Sequence, residues 1–587
     1  MQHAIGEHAL LADGRSAALV DPDGNVAWLC APRVDSAPCL LSLLDEERGG
    51  RFLMRPASPG SHVVSRRYHA GSLVLETVWS IGAQRLTVDE AIGLHSGSLK
   101  RRVRAHGGTV DVDVLFTPAF DMGRTPAAWR IDGQQATATG AGMRLVAISP
   151  GGWRMEGDGT ASSRVAVPDG HAGVLITLHS GAAAGPASGD PIEATLATWR
   201  RRTGDASGLR IVDALGGLSG ESGIRELLRT SIAVLVGLTQ SGGGIVAAPT
   251  TSLPQWPGSA RTWDYRYCWL RDSALAGRAL LRAGLVEAAS RIGAFLGGVI
   301  REQGPRPLVR IDGSPPPLEQ LRLELRGYRD ARPVRVGNAA VDQPQLDAPG
   351  EVLEMAWDLA AAGALPQALA AACRLLADWL AEHWAEPDHG IWEIRGAPRR
   401  YTHSRVMAAA GLEWAAALAE RGLIRGDAAR WARTARAVRA SVAPPKGGAL
   451  QLHDGGGGAD AALSAVPLAG FLPPDDATVR RTLDLIAARL DNGGLLDRYE
   501  GQPDPIADPC APFVFPAFWM AAAQRLCGGD AQRYAASALA ARGPLGLWGE
   551  VADPNHGGPL GNYPQVQSHA AFMLAAIEPD RAVRRRW

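Results

Sequence analysis

Along the first 190 or so positions the apolar residues recur with a period of two. In Thr109-Val110-Asp111-Val112-Asp113-Val114 three valines share one face and the polar residues the other, as a half-buried strand requires. Similar runs at 16–20, 26–29, 72–79, 84–91, 100–106 and 173–178 are separated by Gly, Asp, Pro and Ser turns. Seven or more short strands at this spacing predict an antiparallel β-sandwich over residues 1–193. The period then changes. Ile232, Leu235 and Val236, then Leu353, Ala356, Trp357 and Ala360, then Met407, Ala410, Gly411, Trp414 and Leu418 fall at helical spacing. About a dozen such segments predict a helical toroid over residues 223–587, joined to the strands by a linker with a helical segment at 194–222. Its long connections, at 248–269, 305–350 and 543–565, exceed the length that structureless loops ordinarily have, which marks them as functional if they gather at one end.

Charge narrows the partners. Sixty basic and sixty acidic residues cancel, so no global field draws the chain to nucleic acid or to an acidic membrane. The one basic cluster, Arg581, Arg584, Arg585 and Arg586, reads as a solvated terminus. Six cysteines with no Cys-x-x-Cys pair argue against a zinc cage or a disulfide framework. The start of the chain carries Glu7 and Asp13 within its apolar stretch, unlike a signal peptide, and no apolar run approaches the roughly 20 residues of a membrane span. A cytoplasmic location is the expectation.

Four clusters could carry chemistry. In Arg261-Thr-Trp-Asp-Tyr-Arg-Tyr-Cys-Trp-Leu-Arg-Asp272 the aromatics Trp263, Tyr265, Tyr267 and Trp269 interleave with arginines and aspartates. Aromatic faces stack on the apolar face of a sugar while Arg and Asp bond its hydroxyls, so the mixture suits a carbohydrate site; a packed loop with satisfied ion pairs would look the same. Pro349-Gly350-Glu351 puts a carboxylate in the first turn of a helix, where the helix dipole lowers its pKa, the opposite of what a general acid needs unless burial beside a second carboxylate outweighs it. Gly390-Ile-Trp392-Glu393 is a Gly-bounded loop that could line a sugar pocket, and Gly546-Leu-Trp-Gly-Glu550 is another. Were the toroid closed, Glu351 and Glu550 could face each other across its mouth. No phosphate loop and no His-Glu-x-x-His zinc motif is present, and no cofactor or metal is expected.

At these clusters the chain resembles a bacterial glycoside hydrolase of family 15, the glucoamylase and trehalase family. The matching stretches are Ile5 to Leu11 with Trp28 to Ser36, Trp263 to Asp272, Arg332 to Asn338 and on to Glu351, Gly390 to Glu393, and Gly561 to Gln565, which extend over almost the whole chain. The resemblance implies an N-terminal β-sandwich, a linker and an (α/α)6 barrel that removes glucose from the non-reducing end of trehalose or short α-glucans with inversion. It also implies Glu351 as general acid, Glu550 as general base, Arg271 and Asp272 as the grip on the terminal glucose, and Tyr265 near the attacked bond. Tyr267, Trp269, Trp392 and Glu393 fall in its pocket motifs. The chain departs from the family pattern at Pro349, where a tyrosine is usual, and in the loop Trp-Gly-Glu550-Val. A phosphorylase on a similar toroid and a non-catalytic glycan-binding protein are the competing readings; the expected partner in each is a small saccharide.

Overall fold

The computed structural model describes residues 2–93, 97–170, 173–181, 190–444, 448–501 and 505–579, and the basic cluster at 581–586 lies outside them. The first part is built of antiparallel sheets. Val110–Thr117 is the pivot of a four-stranded sheet, pairing with Ala161–Val167 on one side and Arg51–Pro56 on the other. Its three valines are buried and Asp111 is exposed, as the alternation predicts. An eight-stranded sheet faces it. Between the two, Phe116 meets Trp129 edge-on at 5.4 Å, and the buried Arg101 lies 4.9 Å over the Phe52 ring while its Nε bonds Glu90 at 2.7 Å. Two sheets packed face to face through such contacts form the expected sandwich.

A further sheet of Ala9–Ala12, Ala17–Val20, Val26–Cys30 and Pro38–Leu40 is buried on both faces. It packs against the sandwich on one side and the helices on the other. Two of its strands escape the sequence pattern for that reason, since a strand covered on both faces has no polar side and no alternation.

Helices follow from Pro191. α1 (Pro191–Thr203) starts where Asp190 accepts from the Ile192 and Glu193 amides and proline fills the first turn. The regular structure thus begins inside the stretch assigned to the sandwich, three residues ahead of the expected linker. α2 (Asp213–Leu238) is broken at Gly220, whose φ of 68° an L side chain rarely adopts. After it come α3 (Leu270–Arg282), α4 (Val286–Gln303), α5 (Asp347–Ala361), α6 (Gln367–His383), α7 (Thr402–Glu420), α8 (Ala428–Ser441), α9 (Ala465–Leu468), α10 (Ala477–Leu490), α11 (Phe515–Cys527), α12 (Ala531–Ala540) and α13 (Val566–Ala576).

The odd-numbered helices from α3 form an inner ring, because each packs on the next and α13 returns to α3. They are buried nearly all round, as in α3 and α13. The even-numbered helices surround them. α6 shows why: only Leu369, Ala372, Cys373, Leu376, Ala377 and Leu380 are buried, the single apolar stripe of an outer helix. The result is an (α/α)6 barrel whose chain reaches the same end before every inner helix. Loops at that end carry all the long connections noted above, and they build the site.

Candidate active site

A cavity opens at the N-terminal end of the inner ring. Gln255, Arg261, Trp263, Tyr265 and Trp269 line it from the loop before α3, Arg271 and Asp272 from the first turn of α3, and Asn338 and Ala340 from the loop before α5. Trp392, Glu393 and Arg395 enter before α7, Arg498 and Phe513 before α11, and Glu550 and Gln565 before α13.

Besides Asp272, two carboxylates stand in this cavity, Glu393 and Glu550. They sit at the two ends of an aromatic pair: Trp269 Nε1 donates to Glu393 Oε1 at 2.5 Å, Tyr265 Oη donates to Glu550 Oε1 at 2.6 Å, and the two rings meet edge-on with centroids 5.4 Å apart. Glu393 follows a tight turn in which its amide donates to Gly390 O at 3.2 Å, and its own φ is 54°. A non-glycine residue in that region is strained and persists only where its surroundings hold it. Here they do. Oε1 also accepts from Gln345 Nε2 at 3.0 Å and from Arg271 Nη2 at 3.3 Å, while Oε2 has no partner among the described residues. Behind it, Trp392 is fixed by donating to Asp460 Oδ1 at 2.8 Å.

Glu550 is buried, and burial pushes its carboxyl up to about 7 against the bonds from Gln255 and Tyr265 that pull it down. Gly561, from the Gly-Asn-Tyr-Pro-Gln motif, passes so close that a β-carbon there would lie 3.1 Å from Glu550 Oε2. At the floor, Arg271 donates to Gln345 and to Asp347 Oδ2, both at 3.2 Å. Asp272 beside it is pushed up to about 6 by burial, against the pull of Arg271. Its Oδ2 is a buried acceptor with no hydrogen-bond partner among the described residues, the condition of a group built to receive a donor from a ligand.

Two expected site residues are elsewhere. Glu351 does not face Glu550. It lies one helical turn beyond Asp347, about 6 Å deeper along α5, and lines a separate cavity at the far end of the ring with Arg278, Glu354, Met407 and Trp519. Burial and Glu354 push it up to about 8. Tyr267 turns away from the pocket, donating to Asp264 Oδ2 at 3.3 Å behind the aromatic pair. Gln255, Arg498 and Phe513 also line the cavity and carry no signal in the sequence: Gln255 and Arg498 are lone residues of their type in unpatterned loops, and Phe513 merges into the apolar run that leads into α11. Gln565 closes the Gly561 to Gln565 stretch, and Arg395 lies two residues beyond Glu393.

Among the described residues the one grouping with metal-ligand geometry is His69, Glu76 and Asp89, in the sandwich. Asp89 Oδ2 already accepts from Arg102 and Arg104, so the charge a cation would supply is present. No helix among the described residues is long and apolar enough to cross a membrane.

A pocket of aromatics and three carboxylates at the mouth of a closed helical ring is the site of a carbohydrate-active enzyme. Sequence comparison agrees. The family model for glycosyl hydrolases family 15 matches residues 224–524, and that for the trehalase-like N-terminal domain residues 1–202. The chain is 32% identical to a trehalase of Mycobacterium tuberculosis (strain ATCC 25618 / H37Rv) over 98% of this chain and 90% of the relative. It is 31% identical to a trehalase of Mycolicibacterium smegmatis (strain ATCC 700084 / mc(2)155) over 98% and 91%. A bacterial glucoamylase solved in complex with acarbose shares the fold, with a TM-score of 0.67 and 15% identity over 98% of this chain and 95% of that one. The chain belongs to glycosyl hydrolase family 15. It is a glycoside hydrolase, which sets aside the phosphorylase and the non-catalytic binding protein.

Proposed function

We propose that the protein hydrolyses trehalose with inversion, using Glu393 as general acid and Glu550 as general base. The observation that carries this is the pair of carboxylates in one cavity, each held by one member of the Trp269–Tyr265 pair. Glu393 Oε1 takes three N–H donors, so a proton on this group has only Oε2 to occupy, the oxygen left for a glycosidic oxygen. Glu550 accepts on both oxygens, which is the configuration of a carboxylate ready to take a proton.

In the reaction, Glu393 Oε2–H gives its proton to the glycosidic oxygen as the bond to the anomeric carbon breaks. Glu550 takes a proton from a water whose oxygen attacks the opposite face of the ring. The products are β-glucose and the second glucose. Inversion requires the two carboxyls about 6.5 to 9.5 Å apart to admit the water. Asp272, bonding ring hydroxyls, and the buried pocket strengthen the contacts of the cationic transition state. Trehalose as substrate is supported by the relatives named trehalase and by the trehalase-like N-terminal domain; a cytoplasmic setting is supported by six free thiols.

Glu393→Gln and Glu550→Gln should each lower trehalose turnover by at least about 1,000-fold, within the range of general acid–base catalysis. α-Glucosyl fluoride, whose leaving group needs no proton, should restore turnover to Glu393→Gln and not to Glu550→Gln. Proton NMR should show α- and β-glucose appearing in equal amounts at first, the β-anomer from the attacked ring and the α-anomer from the leaving ring. Initial release of the α-anomer alone, or full activity in either variant, would overturn the reading; glucose release from maltose, isomaltose and starch in place of trehalose would overturn the substrate.

A further inference from the structure

The loop that carries Tyr265 also carries Gln255, which lines the cavity and is 2% exposed. Gln255 Nε2 donates to Glu550 Oε2 at 2.8 Å, and Tyr265 Oη donates to Oε1 at 2.6 Å. We propose that Gln255 is a positioning residue for hydrolysis, fixing the rotamer of Glu550 and holding it as an ionised acceptor; the functional part of this rests on Glu550 acting as the base.

The direction of the amide is set at its other end. Cys510 Sγ donates to Gln255 Oε1 at 3.5 Å. The Gln255 backbone N donates to Arg261 O at 3.0 Å, and Ala511 N donates to Gln255 O at 2.9 Å. Residues 510 and 511 therefore clamp the side chain and the backbone of Gln255 together. Turning the amide over would put its oxygen against a carboxylate oxygen and its NH2 against a thiol, exchanging two good contacts for two poor ones. This leaves Nε2 aimed at Glu550.

A hydrogen bond to the charged form of an acid favours that form. Burial pushes Glu550 up, the bonds from Gln255 and Tyr265 pull it down, Arg498 also favours ionisation and Glu393 opposes it. Tyr265 is itself held far above its ordinary range by burial and by Glu550, so it remains a donor. The Cys510 thiol behind Gln255 is raised by burial and stays neutral. Without Gln255, one oxygen of Glu550 is buried with no donor, and a proton becomes its best remaining partner. A protonated Glu550 cannot draw a proton from water.

Two variants test this. Gln255→Leu keeps the size and removes the donor; Gln255→Glu keeps the shape and replaces the donor by a second carboxyl. For Gln255→Leu, kcat on trehalose should fall about 10- to 100-fold, the range set by one hydrogen bond to a charged group, with KM changed less than about twofold. The acidic limb of the pH profile should move up by about one pH unit. Gln255→Glu should move it further, because two adjacent carboxyls share one proton.

A readout independent of turnover is the 13C NMR titration of the Glu550 carboxyl in the free protein, assigned by the signal lost in Glu550→Gln. Its midpoint should rise in Gln255→Leu by the same amount. An unchanged midpoint would overturn the proposal whatever the activity does, including the case in which activity falls through misfolding alone. A raised midpoint with an unmoved acidic limb would uphold the grip of Gln255 on Glu550 and overturn Glu550 as the base.

Discussion

Asp272 lines the cavity with a buried carboxyl whose pairing is incomplete. It is 4% exposed, its Oδ2 has no hydrogen-bond partner among the described residues, and the Arg271 Nε beside it, 3.6 Å away, has none either. Leaving a buried acceptor unpaired costs about 1 to 3 kcal/mol, more for a charge, and a sugar hydroxyl would recover it. Asp272→Asn should therefore lower kcat/KM for trehalose by at least about 100-fold, checked by initial rates, while the melting temperature stays the same or rises. Unchanged kcat/KM would mean that Asp272 reads no hydroxyl. That Arg271 and Asp272 belong to the site was legible from their place in an aromatic-rich stretch, and so were Tyr265, Trp269, Trp392, Glu393 and Glu550. Gln255 was not, since its role comes from a contact with a residue 295 positions away.

At the scale of one helix, the fate of Glu351 shows what a local pattern can and cannot say. Pro349 and Gly350 mark a helix start, and α5 does start there, at Asp347. The first turn is what reaches the pocket, so Asp347 holds Arg271 while Glu351, one turn on, looks down the ring toward Arg278, whose Nη1 is 3.8 Å from its Oε2. Which turn meets the cavity is fixed by how deep α5 sits among its neighbours, and no periodicity encodes that.

Glu351→Gln should therefore leave trehalose turnover within about twofold of the parent, as a change away from the reacting groups. It should act on stability instead. Burial and Glu354 raise the folded-state pKa of Glu351 to about 8, from an ordinary 4.5. The folded protein thus holds a proton that the unfolded chain releases, and the group's stabilisation is full below about 4.5 and lost as pH rises through about 8. Gln cannot ionise, so between pH 5 and 8 the melting temperature of Glu351→Gln should fall less than that of the parent. Parallel curves, measured by calorimetry across that window, would show that Glu351 does not titrate there.

Over the whole molecule, the β-domain is part of the site's scaffold. Residues 247–250 are the hub: Ala247 N donates to Tyr267 O at 2.9 Å, Ala248 N to Tyr265 O at 3.0 Å, and Val566 N to Ala247 O at 2.8 Å. Thr250 Oγ1 bonds Asn562 Oδ1 at 3.0 Å and accepts from Tyr563 N at 3.0 Å. One short segment thereby ties the loop of Tyr265 to the loop that brings in Glu550 and Gln565. The hub is held in turn from the N-terminal sheet, where the fully buried Trp28 donates Nε1–H to Pro249 O at 2.9 Å. Arg266 Nη1 bonds Ser36 O at 2.7 Å, and Tyr563 Oη bonds His8 O at 3.1 Å.

Trp28→Phe keeps most of the apolar volume but leaves the Pro249 carbonyl buried without this donor, at about 1 to 3 kcal/mol. The melting temperature should drop, and kcat on trehalose should drop by about 10-fold or more as the Tyr265 and Glu550 loops lose their common anchor. Arg164→Ala supplies the contrast. Arg164 pairs with Asp113 on the exposed face of the sandwich, where an ion pair is worth about 0 to 1 kcal/mol, and the variant should match the parent in both measurements. If Trp28→Phe were destabilised yet kept the parent's kcat, the sheet would support the barrel without shaping its chemistry; if both variants lost kcat alike, the effect would lie in the sandwich as a whole and not in the hub.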